Sequence, residues 1–477
     1  DSRFTQLTYN EYDLSAVKLS GKIVNGTGNV NLGFKDKSVN LKLDSQVVLD
    51  SVAPELDFKA ELEGIDLYAL GFTKKDIKAK VYVDGHFKGN AENFTTQVNI
   101  TEGVAVYEDK PYYLGDIAIN SQVTKDSTAL NIDGTFLKTQ LNSNASPAQI
   151  ITALQHHANH YFKDNIEKDS ISHFVNLKME TTITESPIIT DVFLDGIQQM
   201  DTVYFKVDFN EKEEDLKARV SLPSLVYQEN RLDSLHINID SNRKKAKFNI
   251  GFGNLEAGPL AINKTYFDGS LTQDTLYLDF NSFANDEKLF RIQSEITGND
   301  EELNFRVNPS DLILNKNPWE IPNSNQISFS KEAITFKDFV LSRNSQEIKL
   351  SDDLGETKNH IGVALKNFKL STFMSYFNPD EYLASGIVNG DFKIINPLAD
   401  WGMVADMNIT NFKAIEVPLG ELQLKAKSIN NKKYDFKLDL NGQNVDLNIN
   451  GDYLAEETGS QLNLNVDLNK LALSIIE

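Results

Sequence analysis

The feature of this sequence that most restricts its fold is alternation with a period of two. Residues 434–453, YDFKLDLNGQNVDLNINGDY, set the pattern out. Tyr434, Phe436, Leu438 and Leu440 alternate with Asp435, Lys437 and Asp439. After a polar break at 441–444, Val445, Leu447 and Ile449 alternate with Asp446, Asn448 and Asn450. Successive side chains of a strand point to opposite sides, so each block has one apolar and one solvated face. The break, with Gly442 free to take positive φ, predicts a turn between two strands.

Blocks of this kind run through most of the chain. They include Leu56, Phe58, Ala60 and Leu62, then Val81, Val83 and Phe87, then Leu130 and Ile132. Phe205, Val207 and Phe209 follow, then Leu235, Ile237 and Ile239, then Leu276, Leu278 and Phe280, and Leu303, Phe305 and Val307. Turn residues arrive about every ten to twelve positions, the spacing of consecutive antiparallel strands. Helices are therefore minor elements. One is expected after Ser146 and Pro147, where Ile150, Ile151, Leu154, Ala158, Tyr161 and Phe162 recur at helical spacing. Another follows Ser186 and Pro187 and ends at Gly196, and a third covers 370–377, stopped by Pro379. Pro318 and Pro322 mark 312–326 as a crossover between strand groups. The resulting organisation is β-strand repeats over 1–145, short helices interrupting them over 146–200, further strands over 201–316, and a second set of repeats over 317–477.

The repeat itself is visible at 60–72, AELEGIDLYALGF, and 364–377, ALKNFKLSTFMSYF. Leu62, Ile65, Leu67 and Leu70 match Leu365, Phe368, Leu370 and Phe373 at identical offsets. Gly85 and Phe87 match Gly390 and Phe392, and Gly115 matches Gly420. A repeated strand-rich module stacks on its neighbours instead of closing alone.

A sheet with one apolar face must cover that face. Some thirty short strands are too many for one closed barrel filled with side chains, and so large an open sheet curls because strands twist. The expected fold class is all-β: an elongated, curved antiparallel sheet folded lengthwise into a groove, with a few short helices. Thirty strands about 4.8 Å apart would extend on the order of 140 Å. The inward sets are mostly Leu, Ile, Val and Phe, with two Trp in the whole chain, so the interior either packs as a rod or leaves room for hydrocarbon. Each buried acyl CH₂ is worth about 0.8 kcal/mol, which suits such a trough to lipid tails.

Charge narrows the partners. A net charge of −22 opposes nucleic acid, whose binding rests on neutralising phosphates, and opposes polybasic adhesion to anionic membranes. With no cysteine, disulfides, thiolate metal sites and a cysteine nucleophile are ruled out. No run of about 18 apolar residues is present, and the chain reads as a piece of a longer protein.

The blocks 56–90, 109–121, 317–350 and 377–409 carry a resemblance to the TamB/AsmA-like proteins of diderm bacteria, in the form found in Bacteroidetes-type envelopes. That resemblance implies a periplasmic, inner-membrane-anchored protein whose "β-taco" passes phospholipids towards the outer membrane. It also implies a C-terminal region meeting an outer-membrane barrel of the TamA/BamA type. The anchor and the barrel-docking region would lie outside this chain.

The residues expected to line the groove are Phe58, Leu62, Val81, Val83, Leu130, Ile132, Ile237, Ile239, Leu276, Leu278, Phe280, Phe392, Phe436, Leu438, Leu440, Val445, Leu447 and Ile449. No catalytic residue, cofactor or metal site is expected. His156 and His160 have the i,i+4 spacing of a metal pair, with His157 and His173 nearby, but no HExxH completes it; they read as solvated helix histidines. The acidic runs 211–215 and 299–302 lack the ligand alternation of an EF-hand and read as turns. Two functions follow: a non-enzymatic conduit for phospholipid, and a scaffold templating outer-membrane protein assembly at exposed strand edges.

Overall fold

A computed structural model describes residues 2–9, 12–159, 174–272, 274–299, 301–355, 359–399, 401–428, 432–456 and 459–472. The chain is nearly all β, with long antiparallel sheets that stay open and do not close into a barrel. It divides into two compact units, Asp1–Arg243 and Lys244–Glu477.

The first unit is a meander in which most strands pair with the next, from Ser2–Tyr9 to Asn230–Asn242. Two of its long strands each serve a pair of short ones: Phe94–Tyr107 pairs with both Lys110–Tyr113 and Ile117–Thr124. Asp215–Tyr227 likewise pairs with Ile197–Met200 and Val203–Asn210. β-Bulges interrupt the pairing of Glu55–Asp66 with Ile77–Gly89, between Leu62 and Ile65, and of Ile77–Gly89 with Phe94–Tyr107, between Lys80 and Tyr82. Glu102, at the second bulge, takes φ 50°. An extra residue on one strand bends it and sharpens its twist, so bulges at one level on adjacent strands make a line of bending.

The second unit runs from Lys245–Ala257 through Ile334–Lys337, where the ladder ends. A nine-stranded sheet then extends from Val340–Arg343 to Gly459–Leu471. The repeat seen in the sequence reappears as a repeated bulge. Leu365 and Phe368 flank a register shift as Leu62 and Ile65 do, with Asn367 at φ 47°. The partner registers differ, however: Leu62 faces Val81, whereas Leu365 faces Gly390, the counterpart of Gly85.

The helices are local. Pro147–Asn159 starts in a capping box, with Ser146 N–H donating to Gln149 Oε1 (2.8 Å) and Gln149 N–H to Ser146 Oγ (3.4 Å). Its inward side carries Ile150, Ala153 and His157, while Ile151 and Ala158 are exposed. His157 is therefore not solvated. It sits edge-on to Phe209 with Nε2 2.8 Å from Ser241 Oγ. Tyr161, Phe162, His160 and His173 lie outside the described residues. The second helix is a single π-helical segment, Ile188–Phe193, closed by Gly196 at φ 96°. The third is Ser371–Phe377, as expected.

The hairpin at 434–453 forms as Lys433–Asn441 and Val445–Glu456, with Leu438 opposite Ile449 and Leu440 opposite Leu447. Gly442 does not use positive φ. A Cβ there would run into the Leu419 carbonyl, so close backbone approach accounts for this glycine. The stretch 312–326 is also more than a crossover. The ladder does break just after it, but Leu312, Leu314, Trp319 and Ile321 are among the most buried residues of the unit.

Candidate functional site

Register carries each apolar alternator onto the face of its neighbour. In the first unit one row of directly opposed residues runs Val30, Ser45, Phe58, Gly85, Val98, Ile119, Ile132, Thr139, Thr181, Phe205, Val220, Ile237. A second row holds Leu32, Leu43, Ala60, Val83, Ile100 and Ile117, and a third joins Leu41, Leu62 and Val81. Leu130, Leu141, Met179, Val207, Ala218 and Ile239 make a fourth. All eight expected lining residues of this unit thus share one face.

The opposite face is mainly polar, with Ala118, Ala129, Tyr82 and Tyr204 among its residues. Asn31, Asp44, Lys59, Asp84 and Asn99 form one row, and Asn29, Gln46, Asp57, His86 and Gln97 form the next. Exposed ion pairs such as Lys206–Glu180 (2.5 Å) and Lys42–Glu61 (3.6 Å) lace it together, each worth little at a solvated surface. A hollow of about 530 Å³ opens here, lined by those two rows and by Ser45, Phe58 and Gly85 between them, where the sheet twists.

Burial separates the apolar face from an ordinary core. Phe58, Val83, Val98, Ile119, Ile132, Phe205, Val220 and Ile237 are all half-buried, and Ile239 is exposed. The buried side chains of this unit gather instead at the strand ends. Helix Pro147–Asn159 closes over Leu177 and Phe209 at one. The π-helix and the 67–72 turn close over Ile77, Ala105 and Tyr112 at the other. Burial, and then the Asp191 carboxylate, raise the Tyr112 pKa above the usual phenol value.

Three phenylalanine rings lie over the glycine registered opposite them: Phe58 over Gly85, Phe248 over Gly269, and Phe436 over Gly451. A Cβ at Gly85 would lie 2.5 Å from the Phe58 ring, one at Gly451 would lie 2.7 Å from the Phe436 ring, and one at Gly269 would overlap the Phe248 ring. Each ring therefore lies along the sheet over the vacant position and covers backbone without projecting across the face. A single glycine inside a strand pattern signals such close approach, and Gly85, Gly269 and Gly451 each carried that signal.

The second unit treats the same pattern differently. Leu276, Leu278 and Phe280 share a face with Ile296, Phe305 and Ile327. Leu276, Leu278 and Ile296 stay half-buried as in the first unit, whereas the part around Phe280, Phe305 and Ile327 is packed over. Phe290, Val307, Leu312, Leu314, Trp319, Phe339, Phe368 and Val388 form one buried cluster, and Phe280 packs against it. Helix Ser371–Phe377 lays Tyr376 against both Phe280 and Phe290, ring centroids 5.8 Å apart in each case. Beyond it the nine-stranded sheet resumes continuous rows: Phe392, Ala405, Ala426, Phe436, and Met407, Leu424, Leu438, Ile449, Val466. Leu440 and Val445 are on this face but buried, so they act as core; Leu447 opposes Leu440. Strand Gly459–Leu471 pairs on one side only among the described residues and exposes Leu462, Leu464, Val466 and Leu468 by half or more.

Among the described residues no group of three or more His, Asp or Glu side chains is set to hold a metal ion, and no helix is long and apolar enough to cross a membrane. Compared with known proteins, the sequence matches no family model and no curated protein.

Proposed function

We propose that this protein is a periplasmic conduit of the TamB-like kind, holding phospholipid acyl chains along its apolar sheet face and passing them between membranes without chemical conversion. The observation that carries this reading is the set of predominantly apolar rows in the first unit, broken only by small residues such as Ser45, Gly85, Thr139 and Thr181. They are backed by a mainly polar opposite face and left half-covered along their middle. Packing chemistry alone favours closing such a face, since burying a Leu, Ile or Phe side chain is worth about 1.5–3 kcal/mol. A removable apolar guest would supply that burial. The rings lying over glycine keep the floor smooth, which suits sliding hydrocarbon.

The test is photo-crosslinking from Ile119 in protein purified from cells, with native mass spectrometry on the same sample. A phospholipid adduct at Ile119, lost in Ile132→Asp while the far-ultraviolet circular dichroism stays β-rich, is the expected result. A delipidated and a native sample of identical mass, with no adduct, would overturn it. The scaffold reading keeps one supporting feature, the one-sided strand Gly459–Leu471 with its exposed apolar residues. Under that reading Val466→Pro abolishes activity and Ile132→Asp leaves it intact.

A further inference from the structure

We propose that one strand end of the first unit is a docking surface for a zwitterionic phospholipid bilayer, an inference that rests on the conduit reading above. Three connections meet there: the 67–72 turn, the Phe94–Tyr107 to Lys110–Tyr113 hairpin, and the π-helix Ile188–Phe193. They are held as one body. Leu67 and Leu114 pack against the buried cluster that contains Ile188 and Val192, and Lys75 Nζ donates to the Val192 carbonyl (2.7 Å) and pairs with Asp195 (3.3 Å). The same ammonium lies 5.4 Å from the centre of the Tyr107 ring.

This clamped body turns large apolar side chains outward. Tyr68, Phe72, Tyr113, Phe193 and Leu194 are 58%, 57%, 76%, 65% and 52% exposed. A soluble surface scatters such residues singly; their concentration on adjoining loops marks an interaction surface. Two features select a bilayer as the occupant. The patch is continuous with the apolar face, since Val83, Val81, Ala79 and Ile77 occupy one side of a single strand that ends at these loops. Tyr and Phe at loop tips with Lys beside them is also the composition that settles at the headgroup boundary, ring in the acyl region and polar end in water. Charge selects the lipid: Lys74, Lys78 and Lys110 are offset by Asp76, Glu108 and Asp109, so an anionic surface offers no net attraction.

The absence of native cysteine permits a single label. The full chain with Phe193→Cys carries an environment-sensitive fluorophore and is titrated with phosphatidylcholine vesicles. Val52→Cys, exposed at the opposite strand ends, is the comparison. A blue shift at residue 193 larger than at residue 52 is expected. Co-sedimentation of unlabelled protein should fall about tenfold or more in the triple variant Phe72→Ser, Phe193→Ser, Leu194→Ser. No shift at 193, undiminished sedimentation of the triple variant, binding only when anionic lipid is added, or a shift that follows protein concentration without vesicles would each overturn the docking surface. Crosslinking from Ile119 to lipid supplied in detergent micelles needs no docking. Its retention beside failed vesicle binding rejects the docking surface alone, and its loss rejects the conduit as well.

Discussion

The first unit leaves its apolar face half-covered, while the second spends much of the same face on a packed core. The strand pattern behind both is the same. Phe205, Ile132 and Val98 in the one and Phe305, Ile296 and Leu276 in the other sit on equivalent alternating positions. What differs is the connections. In the first unit the helices and turns close over strand ends, burying Leu177, Phe209, Ile77 and Tyr112. In the second, Ser371–Phe377 and the residues around Trp319 fold onto the face around Phe280, Phe290 and Phe368 and build one large buried cluster there. The repeat shows this directly. Leu70 and Phe373 occupy matching positions, yet Leu70 is buried in a turn at the strand ends and Phe373 is exposed on a helix that lies over the sheet. Alternation makes an apolar face, and the connections decide whether it is lining or core.

The largest expected effect follows from that division. Phe368→Ala empties a site only 1% exposed and should destabilise the second unit by about 3–5 kcal/mol. Phe205→Ala removes a half-buried ring and should cost the first unit about 1–2 kcal/mol. Both tryptophans, Trp319 and Trp401, belong to the second unit, so tryptophan fluorescence in urea follows that unit, and tyrosine-region circular dichroism adds the first. Equal losses would erase the distinction between lining and core.

A smaller effect sharpens it. Gly269→Ala forces the Phe248 ring to move, beside the Phe267 ring 5.9 Å away, and should cost about 1–3 kcal/mol. Gly85→Ala displaces the Phe58 ring into the half-open first-unit face and should cost under about 1 kcal/mol. Urea midpoints for the two variants give the comparison.

The smallest is a pH dependence confined to the first unit. Because the Tyr112 pKa is raised in the folded state, its contribution is complete below the ordinary phenol pKa of about 10 and is lost as pH rises through the folded value. Alkaline titration should weaken the first unit, and Tyr112→Phe should remove that part of the slope, read from unfolding midpoints at successive pH values.

Much of this was legible in the residues. Period two identified the strands, Ser146–Pro147 and Pro379 bounded helices that form, and the eight lining positions named for the first unit share one face because pairing with a period of two cannot mix faces. The interior of the second unit was not legible. Leu276, Leu278 and Phe280 carry the same signature as Phe58, and nothing local states that Tyr376 will lie on Phe280. His157 was misread for a related reason: helical spacing gave Ile151 and His157 no ranking until Phe209 and Ser241 chose between them. The bulges escaped because an extra residue such as Asn367 looks like any polar alternator.

The rings laid over Gly85, Gly269 and Gly451 carry one more consequence. If acyl chains travel over this surface as proposed, the calibre of their passage is determined by a missing methyl on the adjacent strand, not by the bulk of the residue that faces it. Adding that methyl tips a ring upright and narrows the bore while leaving the hydropathy profile untouched. On the proposed conduit reading, three single-carbon positions would tune throughput, each at its own cost in stability.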